Sequence, residues 1–194
     1  MNKKLVFLSL PAALIPYLTL LAMTMIFFAA KVPLFDWLME NVFCNNALSL
    51  LAVLVIFCIL AIVLTVICFV VSIRKNWDVL EMAKTVMIIK CLQIPAYLLI
   101  YVFGVICALT IFAVLFSIVL FIVDCLCLCM TGLLVIASAI NAVKTKKFTC
   151  KSVFWILLLQ FVFVADVIAS IIFYNKLKRM DARERSGDNE LAPN

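Results

Sequence analysis

Two carboxylates, Asp124 and Asp166, sit inside long apolar stretches of this 194-residue chain. Placing an acid at the centre of a membrane helix costs about 2.5–3.5 kcal/mol on insertion scales, so such residues face a bundle interior or a wet cavity. Asp124, Thr131 and Ser138 recur every seven residues with Cys127 beside them, which makes a weakly polar stripe on one helix face. Asp166 and Ser170 are i, i+4 neighbours, Gln160 lies a turn and a half earlier, and Ala165 and Ala169 form a small-xxx-small pair suited to close helix contact. Two chemistries fit these residues. Asp124 and Asp166 on neighbouring antiparallel helices would make a proton or cation site, because two like charges in low dielectric do not both ionise cheaply. The same residues, with Gln160 and Thr131, would equally serve as interhelical hydrogen-bonding contacts.

Nine cysteines form the second group, and Cys125, Cys127 and Cys129 are clustered. Thiol exchange calls for a paired Cys-x-x-Cys, which the chain lacks. Two or three soft sulfurs could hold Cu(I), so the cluster is the one place to look for a metal. On a helix Cys125 and Cys129 share a face and Cys127 turns away, and buried free cysteine commonly serves as a small hydrophobe. The odd, scattered set argues against a disulfide framework.

The remaining composition excludes more than it offers. With no His, the chain has no histidine base, no Ser-His pair and no histidine metal ligand. With three Gly it has no phosphate-cradling loop. No enzyme activity and no cofactor are expected. Hydrophobic residues make up 69% of the chain, charged residues 13%, and mean hydropathy is +1.31. A water-soluble domain is about 45–50% apolar, so the partner of this chain is the lipid bilayer. The +6 net charge lies mostly between apolar runs, where it orients a membrane protein rather than binding nucleic acid.

The elements that must position these residues are all helical. Uncharged runs predict about five membrane spans, at 5–30, 47–73, 94–113, 117–142 and 152–175, in a single transmembrane domain. The first is kinked by Pro11 and Pro16 and is too long for a signal-peptide core. Residues 74–90 mix Lys, Asp and Glu with Trp77 and aliphatics and predict an in-plane interfacial helix, with a bend at Gln93 and Pro95. Lys90 is expected to snorkel to the surface. The uninterrupted run 91–143 is too long for one helix and must turn, near Phe112–Ser117. Residues 176–194 form a polar, flexible tail.

Counting basic residues gives an N-terminus inside. Lys3, Lys4, Arg74, Lys75, Lys84, Lys90, Lys144, Lys146, Lys147 and Lys151 then fall on the inner side. Lys31, Lys176, Lys178, Arg179, Arg183 and Arg185 fall outside, so the basic tail conflicts with five crossings.

Ile94-Pro95-Ala96-Tyr97, the lone Asp124 and the stretch Gln160–Ile168 resemble an uncharacterised family of small multi-pass membrane proteins of Firmicutes-type bacteria. The resemblance covers residues 80–180 and implies a bacterial inner membrane, with no assigned activity. The expectation is therefore an all-α helical bundle in the cell membrane, acting as an accessory protein with a membrane-protein partner or as a homo-oligomer. The alternatives are a small proton- or cation-coupled carrier using Asp124 and Asp166, and a membrane thiol or Cu(I) protein using Cys125, Cys127 and Cys129.

Overall fold

A computed structural model describes residues 3–28, 31–110, 114–145, 148, 154 and 163–190. Its elements are α1 (Lys3–Phe28), α2 (Pro33–Asn41), α3 (Ala47–Arg74), α4 (Val79–Leu109), α5 (Val114–Lys144) and α6 (Phe163–Glu190), with no strand among the described residues. Four of them, α1, α3, α4 and α5, are long and apolar enough to cross a membrane. The chain is an all-α helical bundle.

Side-chain size sorts inside from outside. Ala12, Ala61, Cys68, Ala96, Cys127 and Ala137 are fully buried, and small residues there let helix backbones approach closely. Ile56, Ile59, Leu98, Leu115, Phe121 and Phe7 are each more than half exposed. An apolar surface this continuous is suited to lipid, not water.

Short polar signals set the helix ends. Pro33 stands at the start of α2, where its missing N–H is no loss. The Asn46 carboxamide oxygen accepts from the Leu48 N–H at 2.9 Å to begin α3, and the Asp78 carboxylate accepts from the Glu81 N–H at 3.2 Å to begin α4. Between α3 and α4 the chain turns in four residues. Asn76 takes the left-handed conformation (φ 46°), and the Trp77 N–H reaches back to the Ser72 carbonyl at 3.2 Å, which closes a Schellman motif. The Lys144 ammonium donates to the Ile73 carbonyl at 3.3 Å, placing a cation on the negative end of α3.

The buried clusters fix helix direction. Leu5, Cys68, Met82 and Leu134 meet at one level; Ala12, Ala61 and Cys127 at the next; Met23, Ile100 and Leu120 at the far end. Hence α1 and α4 run one way, and α3 and α5 the other. Phe173 and Leu177 of α6 pack with Val79 and Ala83 at the start of α4 and with Ala139 and Ala142 near the end of α5. Since Asp166 lies beside Lys90, α6 is antiparallel to α4 and heads for the end where α1 begins.

Three expectations change. The segment 79–90 is the first part of α4, not a separate in-plane helix, and α4 passes through Gln93 and Pro95 without a break. The turn in the long apolar run falls between Leu109, the end of α4, and Val114, the start of α5, so it overlaps only the beginning of the expected Phe112–Ser117; the Thr110 hydroxyl donates back to the Cys107 carbonyl at 2.9 Å. Finally, the basic tail lies at the basic end. The described part of the expected 152–175 span runs within α6 toward Arg74, Lys75 and Lys144, as a helix to Glu190.

Candidate functional site: a buried ion pair and a lone aspartate

On α4 the buried positions Val79, Ala83, Val86, Lys90, Gln93, Ala96 and Ile100 follow a three-and-four spacing. Such a stripe faces a neighbouring helix, and here two of its members are polar. Lys90 is 1% exposed and forms a salt bridge with Asp166, itself 4% exposed. The expectation that Lys90 snorkels is overturned: its stem and its head both lie in the interior, because the counter-charge is there. Lys90 stands about 17 Å along α4 from its first residue, well inside the apolar zone. On α6, Asp166 opens a matching stripe through Ala169, Ser170, Phe173 and Leu177, all buried. The Ser170 hydroxyl donates to the Asp166 carbonyl at 2.9 Å.

Gln93 connects α4 to α1. Its side-chain amide donates to the Ala12 carbonyl at 2.9 Å. That carbonyl is the one Pro16 leaves free, since proline has no N–H to return to the residue four before it. In the other direction, the Tyr17 hydroxyl of α1 donates to the Leu92 carbonyl of α4. Each helix therefore supplies a side chain to the other's backbone, and in α1 that bond serves the carbonyl its proline frees, as proline-containing membrane helices require. The Tyr97 hydroxyl donates to the Gln93 carboxamide oxygen at 3.3 Å.

Asp124 is 6% exposed on α5, and its Oδ1 has no hydrogen-bond partner among the described residues. Thr131 does not serve it; the Thr131 hydroxyl bonds back to the Cys127 and Leu128 carbonyls at 3.1 and 3.2 Å. Ser138, next on the stripe, donates to the Val79 carbonyl at 3.4 Å. Tyr97 lies within electrostatic reach of both Asp124 and Asp166, and of Cys127. Of the two acids, Asp166 has the lysine. Gln160 lies outside the described residues.

The cysteines are dispersed. Cys127 is buried, Cys125 half-buried and Cys129 exposed, and no group of three His, Cys, Asp or Glu side chains among the described residues is placed to hold a metal ion.

Two participants have no place in the sequence reading: Lys90 as an interior residue, and Asn141. The Asn141 amide donates to the Ser72 carbonyl at 3.0 Å, tying α5 to the turn after α3. For Lys90 a signal existed in its register with Val86 and Gln93; for Asn141 it was its place one turn after Ser138.

The chain matches no protein-family model, no curated protein and no solved structure.

Proposed function

We propose that this chain is an integral protein of the cell membrane that acts by interaction and not by catalysis. In this reading four spans form a fixed frame, both ends of the chain lie on the cytoplasmic side, and α6 is the element offered to a membrane-protein partner or a second copy. One observation carries the reading. The first half of α6 is fastened to α4 by the Lys90–Asp166 pair and by Phe173 and Leu177, while Leu177 already lies level with Val79, the first residue of α4. The helix nevertheless continues to Glu190, past the end of the frame, through a sequence dense in both charge signs. A charged helix held at its base by an interior ion pair is suited to contact outside the frame. The test is photo-cross-linking in native membranes from Ala182 and Arg183. A discrete adduct from these positions, absent when the same probe stands at the exposed, apolar Ile56 of α3, is the expected result. A chain that stays monomeric and unadducted in membranes and in detergent overturns the reading.

Asp124 favours a second reading, a small proton- or cation-coupled carrier. A buried carboxylate oxygen without a partner among the described residues, on a helix packed against the one that carries Lys90, is the kind of residue on which proton pathways through membranes are built. Reconstitution in liposomes tests it. Flux that falls in Asp124→Asn supports the reading, and flux that is absent throughout or equal in the wild type, Asp124→Asn and Asp166→Asn removes it.

A further inference from the structure

Between α1 and α4, near the end where both helices begin, the bundle surface is notched by a cleft of about 140 Å³. Its floor is made by Ser9, Ala13, Thr85 and Ile89, all buried, and its walls by Leu10, Ile88 and Leu92, which are 45%, 44% and 53% exposed. Two of the floor residues carry hydroxyls, yet the cleft presents no polar surface. The Ser9 hydroxyl is spent on the Leu5 carbonyl at 2.7 Å and the Thr85 hydroxyl on the Glu81 carbonyl at 2.9 Å, each within its own helix. The cleft exists because short side chains stand where the two helices face each other and long ones stand to either side.

A void of this kind costs the dispersion contacts of its lining unless something apolar fills it. An enclosed apolar cavity of about 150 Å³ takes a benzene-sized group and no water, so this cleft suits a run of methylenes. It opens sideways, on the faces where Leu10, Ile88 and Leu92 are exposed, which is where a bilayer supplies acyl chains. Charge then selects the lipid. Lys84, Ile88 and Leu92 are i, i+4, i+8 on one face of α4, which puts the exposed Lys84 one turn beyond the cleft toward the bundle end. The turn from α3 into α4 adds Arg74 and Lys75, both exposed, against Asp78 and Glu81, so basic side chains outnumber acidic ones by three to two. Both α1 and α4 begin at this end and direct the positive ends of their dipoles there.

We infer that the α1–α4 cleft is a binding site for one anionic phospholipid, with an acyl chain lying along Leu10, Ile88 and Leu92 and the headgroup phosphate held at Lys84. The site rests on the placement in a membrane, not on the interaction reading of α6, and it is measured on the monomeric chain. The experiment is native mass spectrometry of the full chain reconstituted with equal amounts of phosphatidylglycerol and phosphatidylcholine. The wild type is expected to retain one lipid, with about fivefold preference for phosphatidylglycerol, the preference that one lysine near an anionic headgroup confers. Lys84→Gln keeps the retained lipid and loses the preference. Ala13→Leu fills the floor and loses the lipid whatever its headgroup; Leu10→Ala, which removes an exposed wall without touching the core, does the same. No retained lipid on the wild type, an unchanged preference in Lys84→Gln, or unchanged retention in Leu10→Ala overturns the site.

Discussion

The Gln93 side chain donates to the Ala12 carbonyl, 81 residues away in sequence, and this carbonyl is free because Pro16 follows it by four. The bond makes a prediction that depends on the proline. Gln93→Leu should cost about 1–3 kcal/mol, the penalty of a buried polar group left without its partner. In a Pro16→Ala background the new N–H at position 16 takes the Ala12 carbonyl, and the same change at Gln93 should cost clearly less. Unfolding in mixed micelles, run as a double-mutant cycle, measures the difference. Equal costs in the two backgrounds would show that Gln93 does not serve that carbonyl.

The Lys90–Asp166 pair should behave asymmetrically. Lys90→Ala or Asp166→Ala leaves a buried charge without its partner and should destabilise the fold by about 3–5 kcal/mol. Replacing both, as Lys90→Met with Asp166→Leu, should recover most of that loss, because apolar residues of similar volume substitute for buried pairs at little cost. The same micelle unfolding reads it. A double variant as unstable as the sum of the singles would mean the pair does more than neutralise itself.

Asp124 should respond in the opposite direction. With its Oδ1 buried and without a partner among the described residues, Asp124→Leu should raise stability by about 1–3 kcal/mol, since the change removes a desolvated polar group without breaking a described bond. A stability loss of that size would reveal a partner for the carboxylate. A stability gain together with a loss of liposome flux would mark Asp124 as kept for function.

Much of this architecture was legible and some was not, for physical reasons. The cores of α1 and α3 follow from uninterrupted apolar runs, and the basic residues between runs point to one end of the bundle. The extent of α4 was hidden because Glu81, Lys84 and Lys90 read as surface residues, and in isolation a lysine at a helix end does snorkel. Only the tertiary partner, Asp166, changes that, and periodicity carries no information about a residue 76 positions away. The end of α4 is hidden because Leu109 and Thr110 carry none of the Gly, Pro or charge that usually marks a turn. Asp124 and Asp166 stood out as exceptions to the apolar pattern; that one of them has a cation beside it and the other has none was not in the pattern.

Orientation yields another test. Because α6 is antiparallel to α4 and runs toward the end of the bundle where α1 begins, reporters fused to the two ends of the chain should both read as cytoplasmic. Reporters on opposite sides would restore an odd number of crossings and would contradict the direction of α6.

The turn at Asn76 gives a more local prediction. It is held left-handed at φ 46°, a conformation that asparagine tolerates and a β-branched residue does not. Asn76→Val should lower stability by about 1–2 kcal/mol, and Asn76→Gly should not. Thermal unfolding of the two variants distinguishes backbone strain from lost side-chain contact.

The ion pair also imposes an order on biosynthesis. Lys90 leaves the ribosome 76 residues before Asp166. At about 5–20 residues per second the lysine waits roughly 4–15 s for its counter-ion. During that interval α4 carries an uncompensated cation and is a poor candidate for release into lipid. The helix gains a full claim to the bilayer only when α6 arrives, so a helix made later decides when an earlier one is finished.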